Sequence, residues 1–575
     1  MELQDSRRLT GPNLICEEQG AVIDVVMDDE VRDEVVSSWR TIAVELQRAF
    51  GWDRAEPSTY VRMFDGGASL VLRAPIDGLY AACEANECAW DRAVAATEGR
   101  EITPIEQDVE RLRVLVEEER NPAMHLLAGS AESKGVGFLC DDDEVSLGFG
   151  TGSHTWPVRE LPKVDTVPWP AVHDVPILLV TGTNGKSTTV RMLASIVNAA
   201  GRTPGFSSTD GLWIGDERID TGDYSGPGGA RTVLRDRRTE VALLETARGG
   251  MLRRGIGVPR ANAAAILNVA EDHMGEYGVH KLEDLVEAKF IVRRAVAPDR
   301  PLVLNADDAH VVGGAVRGVQ SPITWFTLDA DNPLVVEHCR RGGSACLVED
   351  GVIRFASGES RMDVVEVGAV PATMNGCARF NVANAMAAVA LATAIDLPAD
   401  AIAAGLRDFR SDPESNPGRG NVFQLEGVTA IVDFAHNPHG LKAFLEMANA
   451  MPAQRRLITL GMAGDRSDES IRDFVRTAWS ARPDRVILKE MEIHLRGREL
   501  GVVPDLMADE LRRIGVPENR IARASTEVEA TRLALAWAEP GDLLLLSVLA
   551  ERDQVIELLG GMVRRGWRPG QVVPN

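Results

Sequence analysis

The stretch Ile177–Leu193, ILLVTGTNGKSTTVRML, constrains the fold of this chain more than any other. An apolar run is followed by a glycine-rich turn with a lysine and paired hydroxyls, and then by a helix-like pattern. A strand that ends in glycines and opens a helix offers unpaired backbone N–H groups and the positive end of the helix dipole, which suits an anion. Phosphate is the expected occupant. Gly182 and Gly185 let the backbone come close, with Thr183 and Asn184 between them; Lys186 supplies a point charge, and Ser187 or Thr188 can offer a hydroxyl to Mg²⁺. The usual nucleotide loop, GxxxxGK[ST], would need a glycine at position 180, where this chain has Val180. A purely structural turn is the alternative.

Around this turn, short aliphatic runs alternate with helix-like segments. PILLVTG, VALLETA, NAAAILNVA and PLVLNADD read as strands of a mainly parallel sheet. A second series, VTAIVDFAHNP, RRLITLGMAGD, DRVILKEM and DLLLLSVL, follows the proline- and glycine-rich segment Ser411–Asn421. Before the turn, Thr155–Pro176 carries five prolines, which cannot continue a helix or a central strand, so it reads as a linker. The N-terminal part pairs a strand-like GAVIDVVM with a helical pattern in which Val35, Trp39, Ile42, Val44, Leu46 and Phe50 are spaced for one face. Cys83, Cys88 and Trp90 could be taken for a reactive cluster, but buried cysteine usually packs as a small hydrophobe, and core packing is the expectation.

A chain of 575 residues is long enough for three domains. The expected division is a small α+β domain over 1–165, a central α/β nucleotide-binding domain over 166–412, and a C-terminal α/β domain over 413–575. The formal net charge of −24 argues against sequence-independent binding to nucleic acid, which depends on lysine and arginine neutralising phosphates. Seven scattered cysteines without a CxxC pair read as reduced structural thiols. No apolar run is long enough to cross a bilayer and the N-terminus lacks an apolar signal core, so the expected location is the cytoplasm, with no membrane partner.

The shortened loop GTNGKST resembles the phosphate loop of the Mur ligase superfamily. The resemblance continues in order through LLETARGGMLRRGIG, LNVAEDHMG, LNADD, ARFNVANAMAA, NPGR and DFAHNP. Among the branches of that superfamily, STDGLWIGDERIDTGDYSGPGGARTVLRD followed by ETARGGMLRRG is most similar to the Mur-like domain of cyanophycin synthetases. The similarity covers Val175 to the C-terminus. RRLTGPN and AESKGVGFLCDDDEVSLGFGTGSHTW are more weakly similar to the segments that precede the ATP-grasp domain in those synthetases, and that domain does not follow here.

The resemblance implies a central P-loop Mur ligase domain, a Rossmann-like C-terminal Mur ligase domain, and ATP and Mg²⁺ as cofactors. It implies an ATP-dependent, ADP-forming ligase that activates a carboxylate as an acyl phosphate and joins it to an amino acid. Lys186 would neutralise charge on the transferring phosphoryl group; Ser187 and Glu245 would hold one Mg²⁺, and His273 would help hold a second. Lys289 falls where several Mur ligases carry a carbamylated lysine, although an unmodified, salt-bridged lysine is equally open. Asn381 and Asn268 would approach the adenine or position the loop, unless they are ordinary helix caps. From the C-terminal domain, Arg419 and Asp433 would meet phosphates and ribose, with His436 near the γ-phosphate, in a divided site that closes on binding.

Arg248, and with it Arg253 and Arg254, could hold a carboxylate-rich acceptor, or be solvated charges at a helix end. Asp465, Arg466, Glu490, Glu492 and Arg496 lie in segments that resemble the amino-acid site of cyanophycin synthetases. Their polarity suits arginine or lysine as the incoming amine, with an aspartate-containing peptide as acceptor; a solvated surface is the alternative for each. Other functions left open are a Mur-type ligase acting on another peptide or on polyglutamate, and a nucleotide-binding accessory subunit of a cyanophycin-type synthetase. A partner ATP-grasp ligase and a homo-oligomer are further expectations from the resemblance.

Overall fold

The computed structural model of the protein describes residues 1–52, 58–272 and 274–573. Its architecture is α/β, dominated by two sheets whose strand ends face each other across a cleft. The larger sheet has eleven strands. In spatial order they are Glu217–Asp220, Gly211–Ile214, Pro204–Ser208, Val241–Glu245, Ile177–Thr181, Ala263–Ile266, Leu302–Asn305, Ile323–Thr327, Ser344–Glu349, Val352–Ser357 and Ser360–Glu366. The seven from Pro204–Ser208 to Ser344–Glu349 pair in parallel, and antiparallel hairpins extend the sheet at both sides. The central strands are nearly continuous aliphatic runs, as a sheet covered on both faces requires, and two hydrophobic clusters lie on its opposite faces.

The second sheet has six strands in the order Arg419–Leu425, Val428–Asp433, Leu543–Ser547, Arg456–Leu460, Arg485–Lys489 and Ile521–Ala524. All neighbours are parallel except the first pair, which forms a hairpin. Clusters on either face bury it in the same way. Every aliphatic run read as a strand in the two α/β series is a strand here.

The N-terminal part is a four-stranded antiparallel sheet, ordered Glu2–Leu9, Gly20–Val26, Gly67–Arg73 and Thr59–Phe64, packed on the helices Asp29–Phe50 and Leu79–Thr97. Trp39 is buried between them and donates its indole N–H to Asn86 (2.8 Å). Cys88 and Trp90 belong to this core and Cys83 packs against it, with both thiols pushed up to about 11 by burial, so the cluster is structural and unreactive. All seven cysteines are free.

The proline-rich segment Thr155–Pro176 is pinned more firmly than a loose connector. Val167 and Val172 are buried against the helix Pro122–Lys134, and His173 accepts the N–H of Phe149. The N-terminal strand also docks on the central sheet's surroundings. Thr10 donates to Arg254, Ile256 donates to Pro12, and Arg7 donates to the carbonyl of Leu252, so RRLTGPN braces the helix Arg248–Arg254 from behind.

Candidate functional site

Strand order places the site. Ile177–Thr181 lies between Val241–Glu245 and Ala263–Ile266, so the phosphate turn emerges beside both Glu245 and Asn268. In open α/β sheets the carboxyl ends of the strands form the ligand crevice, and here both sheets contribute theirs to one cleft of 1860 Å³.

The turn itself is held by side chains from its neighbour. Asn268 accepts the N–H of Asn184 (2.8 Å) and donates back to its carbonyl (3.0 Å), while Thr183 donates its N–H to the backbone of Asn268. Gly185 has φ 90°, and a Cβ there would meet Asn384 Oδ1 at 2.3 Å, so both conformation and space require glycine. The helix Lys186–Ala199 begins at once, and Lys186 folds its ammonium onto the carbonyls of Gly182 and Thr183 (both 3.1 Å).

Ser187 donates to Glu245 Oε2 (2.8 Å), which also accepts the Thr209 N–H. Glu245 is buried, and burial pushes its carboxyl up against the pull of Lys186. Its other oxygen, Oε1, has no hydrogen-bond partner among the described residues. An orphaned, buried carboxylate oxygen beside a hydroxyl fits a hard cation, and an ion such as Mg²⁺ takes one or two protein oxygens and the substrate's phosphates. Among the described residues no group of three His, Cys, Asp or Glu forms a closed metal cage. Thr188 also lines the cleft, and its hydroxyl accepts from Asn416 (3.2 Å) in the segment that joins the two sheets. His273 lies outside the described residues.

Lys289 is buried, and desolvation together with Lys186 and Arg248 holds its amine well below the usual lysine range. Among the described residues it has no ion-pair partner. Arg248 is also buried; Nη2 pairs with Glu276 (2.7 Å), and Nη1 has no partner among the described residues. Arg253 and Arg254 line the same side of the cleft.

The opposite wall comes from the smaller sheet. Arg419 stands across the hairpin from Asp433 and lies over the Phe434 ring (4.3 Å). Enclosure in the cleft pushes the Asp433 carboxyl up to about 6, with Arg419 and the backbone N–H groups of Gly420 and Ala435 opposing. His436 is held by the Phe434 carbonyl (3.0 Å) and lies 3.5 Å from Asp272. Asn437 and Asn184 bond reciprocally across the seam (3.3 and 3.2 Å), and Arg466 reaches Asp272 (2.9 Å).

Three sequence expectations land differently. Asn381 is buried and donates to the Ala372 carbonyl and accepts from Asn384, so Asn384 is the residue that meets the turn. Glu490 accepts the N–H groups of Met491 and Gly501, which ties it to its own loop. Asp465 pairs with Arg496; of the amino-acid segment's candidates only Arg496 lines the cleft, and Asp465, Arg466 and Glu490 do not. Residues that sequence reasoning missed include Asp210 and Arg552, joined across the seam, and Asn384 and Asn437. Asn437 sits within the quoted DFAHNP, Asn384 within ARFNVANAMAA and Asp210 within STDGLW, so these three were legible as members of motifs though not by role; Arg552 gave no local signal.

Residues 180–392 match the family model of the Mur ligase middle domain, and residues 418–547 that of the Mur ligase glutamate ligase domain. Cyanophycin synthetase of Geminocystis herdmanii is 36% identical over 413 residues, covering 70% of this chain and 46% of that protein. The Nostoc enzyme is 37% identical over 374 residues, covering 65% and 41%. The chain thus spans less than half the length of these relatives. A crystal structure of bifunctional folylpolyglutamate synthase/dihydrofolate synthase from Yersinia pestis covers 67% of this chain and 89% of that one, at 20% identity and a TM-score of 0.49.

Proposed function

Because the chain belongs to the Mur ligase family, we propose that it is an ATP-dependent amide ligase that joins an amino acid, arginine or lysine, to the side-chain carboxylate of an aspartate-containing acceptor made by another enzyme. The observation that supports this reading most directly is the grouping of Lys186, the Ser187–Glu245 pair with its orphaned oxygen, and a buried Lys289 on one wall, facing Arg419 and Asp433 on the other.

In this reading the acceptor carboxylate attacks the γ-phosphorus of ATP. A P–O bond to the acceptor forms, the bond to ADP breaks, and an acyl phosphate results. The amine then attacks the acyl carbon and expels inorganic phosphate. The first step brings anions together, so it depends on fixed positive groups placed where charge develops. Lys186 and the N–H groups of the turn fill that role, with Arg419 from the far wall. Ser187 and Glu245 would hold Mg²⁺, which supplies charge neutralisation at the phosphates when bound. Arg248, with one N–H group unused, would hold the acceptor's carboxylate. Lys289 has no ion pair among the described residues, and burial holds its amine well below the usual lysine range, which eases the loss of the proton that carbamylation requires; this favours carbamylation over the salt-bridged alternative. Asp433 and His436 would meet the ribose and the phosphates from the second sheet.

The test is product analysis by mass spectrometry with purified protein, ATP, Mg²⁺, an aspartate oligomer and a pool of all amino acids. A mass increase equal to arginine or lysine supports the reading. Hydrolysis of ATP with an adduct on a different peptide moves the activity to another Mur-type acceptor, and tight ATP binding without any adduct points to an accessory subunit.

A further inference from the structure

The cleft wall holds a group of charges of which the scheme above uses only Arg419. Asp210, in the turn between Pro204–Ser208 and Gly211–Ile214, is half-buried with its side chain only 8% exposed, and three guanidinium groups surround it. Arg552, the first residue of the last helix and 342 positions away, donates to Oδ1 (2.5 Å). Arg191 lies over the Trp213 ring (4.4 Å) with Nη2 3.9 Å from Oδ2, and Arg419 faces the same carboxylate. Burial would raise the Asp210 carboxyl, yet the arginines hold it below the ordinary range. Arg191 Nε and Nη2 and Asp210 Oδ2 have no hydrogen-bond partners among the described residues.

Arg552 is presented from behind. The carboxylate of Glu527 accepts the N–H groups of Leu549 (2.8 Å), Ala550 (2.8 Å) and Glu551 (2.6 Å), which are the three residues before Arg552. Lys489 closes an ion pair on the same carboxylate, and both side chains are buried. Burial alone would push Glu527 up; the Lys489 ammonium and the three N–H groups keep it ionised. The loop that lines the cleft is therefore a fixed bracket, and Arg552 is its tip.

We propose that the Asp210–Arg552 pair is the clamp that seats this bracket and Arg419 over the phosphate turn, which makes Asp210 a positioning residue acting through two arginines. The inference rests on the ligase reading for its effect on turnover. Arg191, Arg419 and Arg552 converge on Asp210 where the two sheets meet, while Arg552 also pairs with Asp553 (3.1 Å) and Arg419 faces Asp433, so the carboxylate of Asp210 ties the larger sheet to two arginines of the smaller one.

The full chain serves for the test, with Asp210→Asn, Arg552→Gln and the double variant. Each single change is expected to lower kcat/KM for ATP by ~10-fold or more, and the double variant to be no worse than the poorer single, because residues acting as one unit are not additive. Arg552→Lys, which keeps the charge and loses the planar fork, should recover part of the loss. In small-angle scattering without nucleotide, Asp210→Asn should show a larger radius of gyration than the parent. Multiplicative losses in the double variant, losses that track melting temperature, or unchanged kcat/KM would overturn the clamp. A parent that makes no adduct with any acceptor sinks the ligase reading instead, and scattering then decides the clamp alone: an unchanged radius of gyration in Asp210→Asn overturns it.

Discussion

The cleft and the amino-acid segment beside it are furnished with the same kinds of residue, yet the two regions use them differently. On the phosphate side, among the described residues, Glu245 and Arg248 each keep one polar atom without a hydrogen-bond partner, and Lys289 makes no ion pair, with Asp272 and Asp308 acting on it only from a distance. Along Ala463–Gly501, Glu490 is bound to two backbone N–H groups, Asp465 to Arg496, and Arg466 to Asp272. A charged side chain is available to a ligand only when its own protein has left it unsatisfied. Unused capacity in a buried group costs stability, and such groups persist where a ligand supplies the missing partner.

The contrast can be broken most sharply at Lys186. Lys186→Ala should reduce kcat/KM for ATP by roughly 10³-fold or more while leaving the fold intact, as read by steady-state kinetics beside circular dichroism. Next in size, Lys289→Met should lose most turnover and yet raise the melting temperature by about 2–4 °C. The sign follows from linkage: Lys289 is depressed in the folded state, so the folded chain binds fewer protons than the unfolded one and is penalised at every pH below the unfolded lysine pKa of about 10.4. Calorimetry that found the variant less stable would show that Lys289 has a stabilising partner.

A smaller effect is expected at Asp433, whose carboxyl ionises near pH 6 in the folded protein. ATP affinity should fall as pH drops through about 6, because the neutral acid accepts fewer hydrogen bonds from hydroxyls, and Asp433→Asn should flatten that profile in titration calorimetry. The same raised value makes Asp433 a cost that grows between an unfolded pKa of about 3.9 and the folded 6, so the variant should gain stability at neutral pH relative to acid. The smallest change is predicted for Glu490→Gln. One carboxylate oxygen accepting the Gly501 N–H is lost or replaced, and kcat/KM for the amine should move by less than about threefold. A change of amino-acid preference in that variant would erase the difference between the two regions.

The parts of this molecule that were legible in the sequence are those fixed by neighbouring residues. ILLVT, then two glycines, then KST is a strand, a turn and a helix start written in consecutive letters, and the structure places them so. Cys83, Cys88 and Trp90 were legible as core because they share the alanine-rich helix Leu79–Thr97, about five turns long, whose apolar residues recur along one side. Glu245 could be picked out, but its contact with Ser187 depends on which strand lies beside Ile177–Thr181. Asp210 and Arg552 are separated by more than half the chain, and although Asp210 lies in the quoted STDGLW stretch, nothing in the letters links it to Arg552; only the folded seam makes them a pair. Glu490 was misplaced for the converse reason. A carboxylate before a glycine-rich loop looks the same in sequence whether it holds the Gly501 N–H or a ligand.

The segment joining the two sheets is fastened at two points to the helix that starts at the phosphate turn, through Asn416 to Thr188 and through Ser415 to Arg191. In mechanical terms this is a hinge whose pin passes beside the nucleotide seat. Points near a pin travel little when the jaws turn, and points at the rim travel far. On the ligase reading, a modest swing that opened the rim to an acceptor would leave the seat around Lys186 almost stationary, so one substrate could leave while the other stayed held.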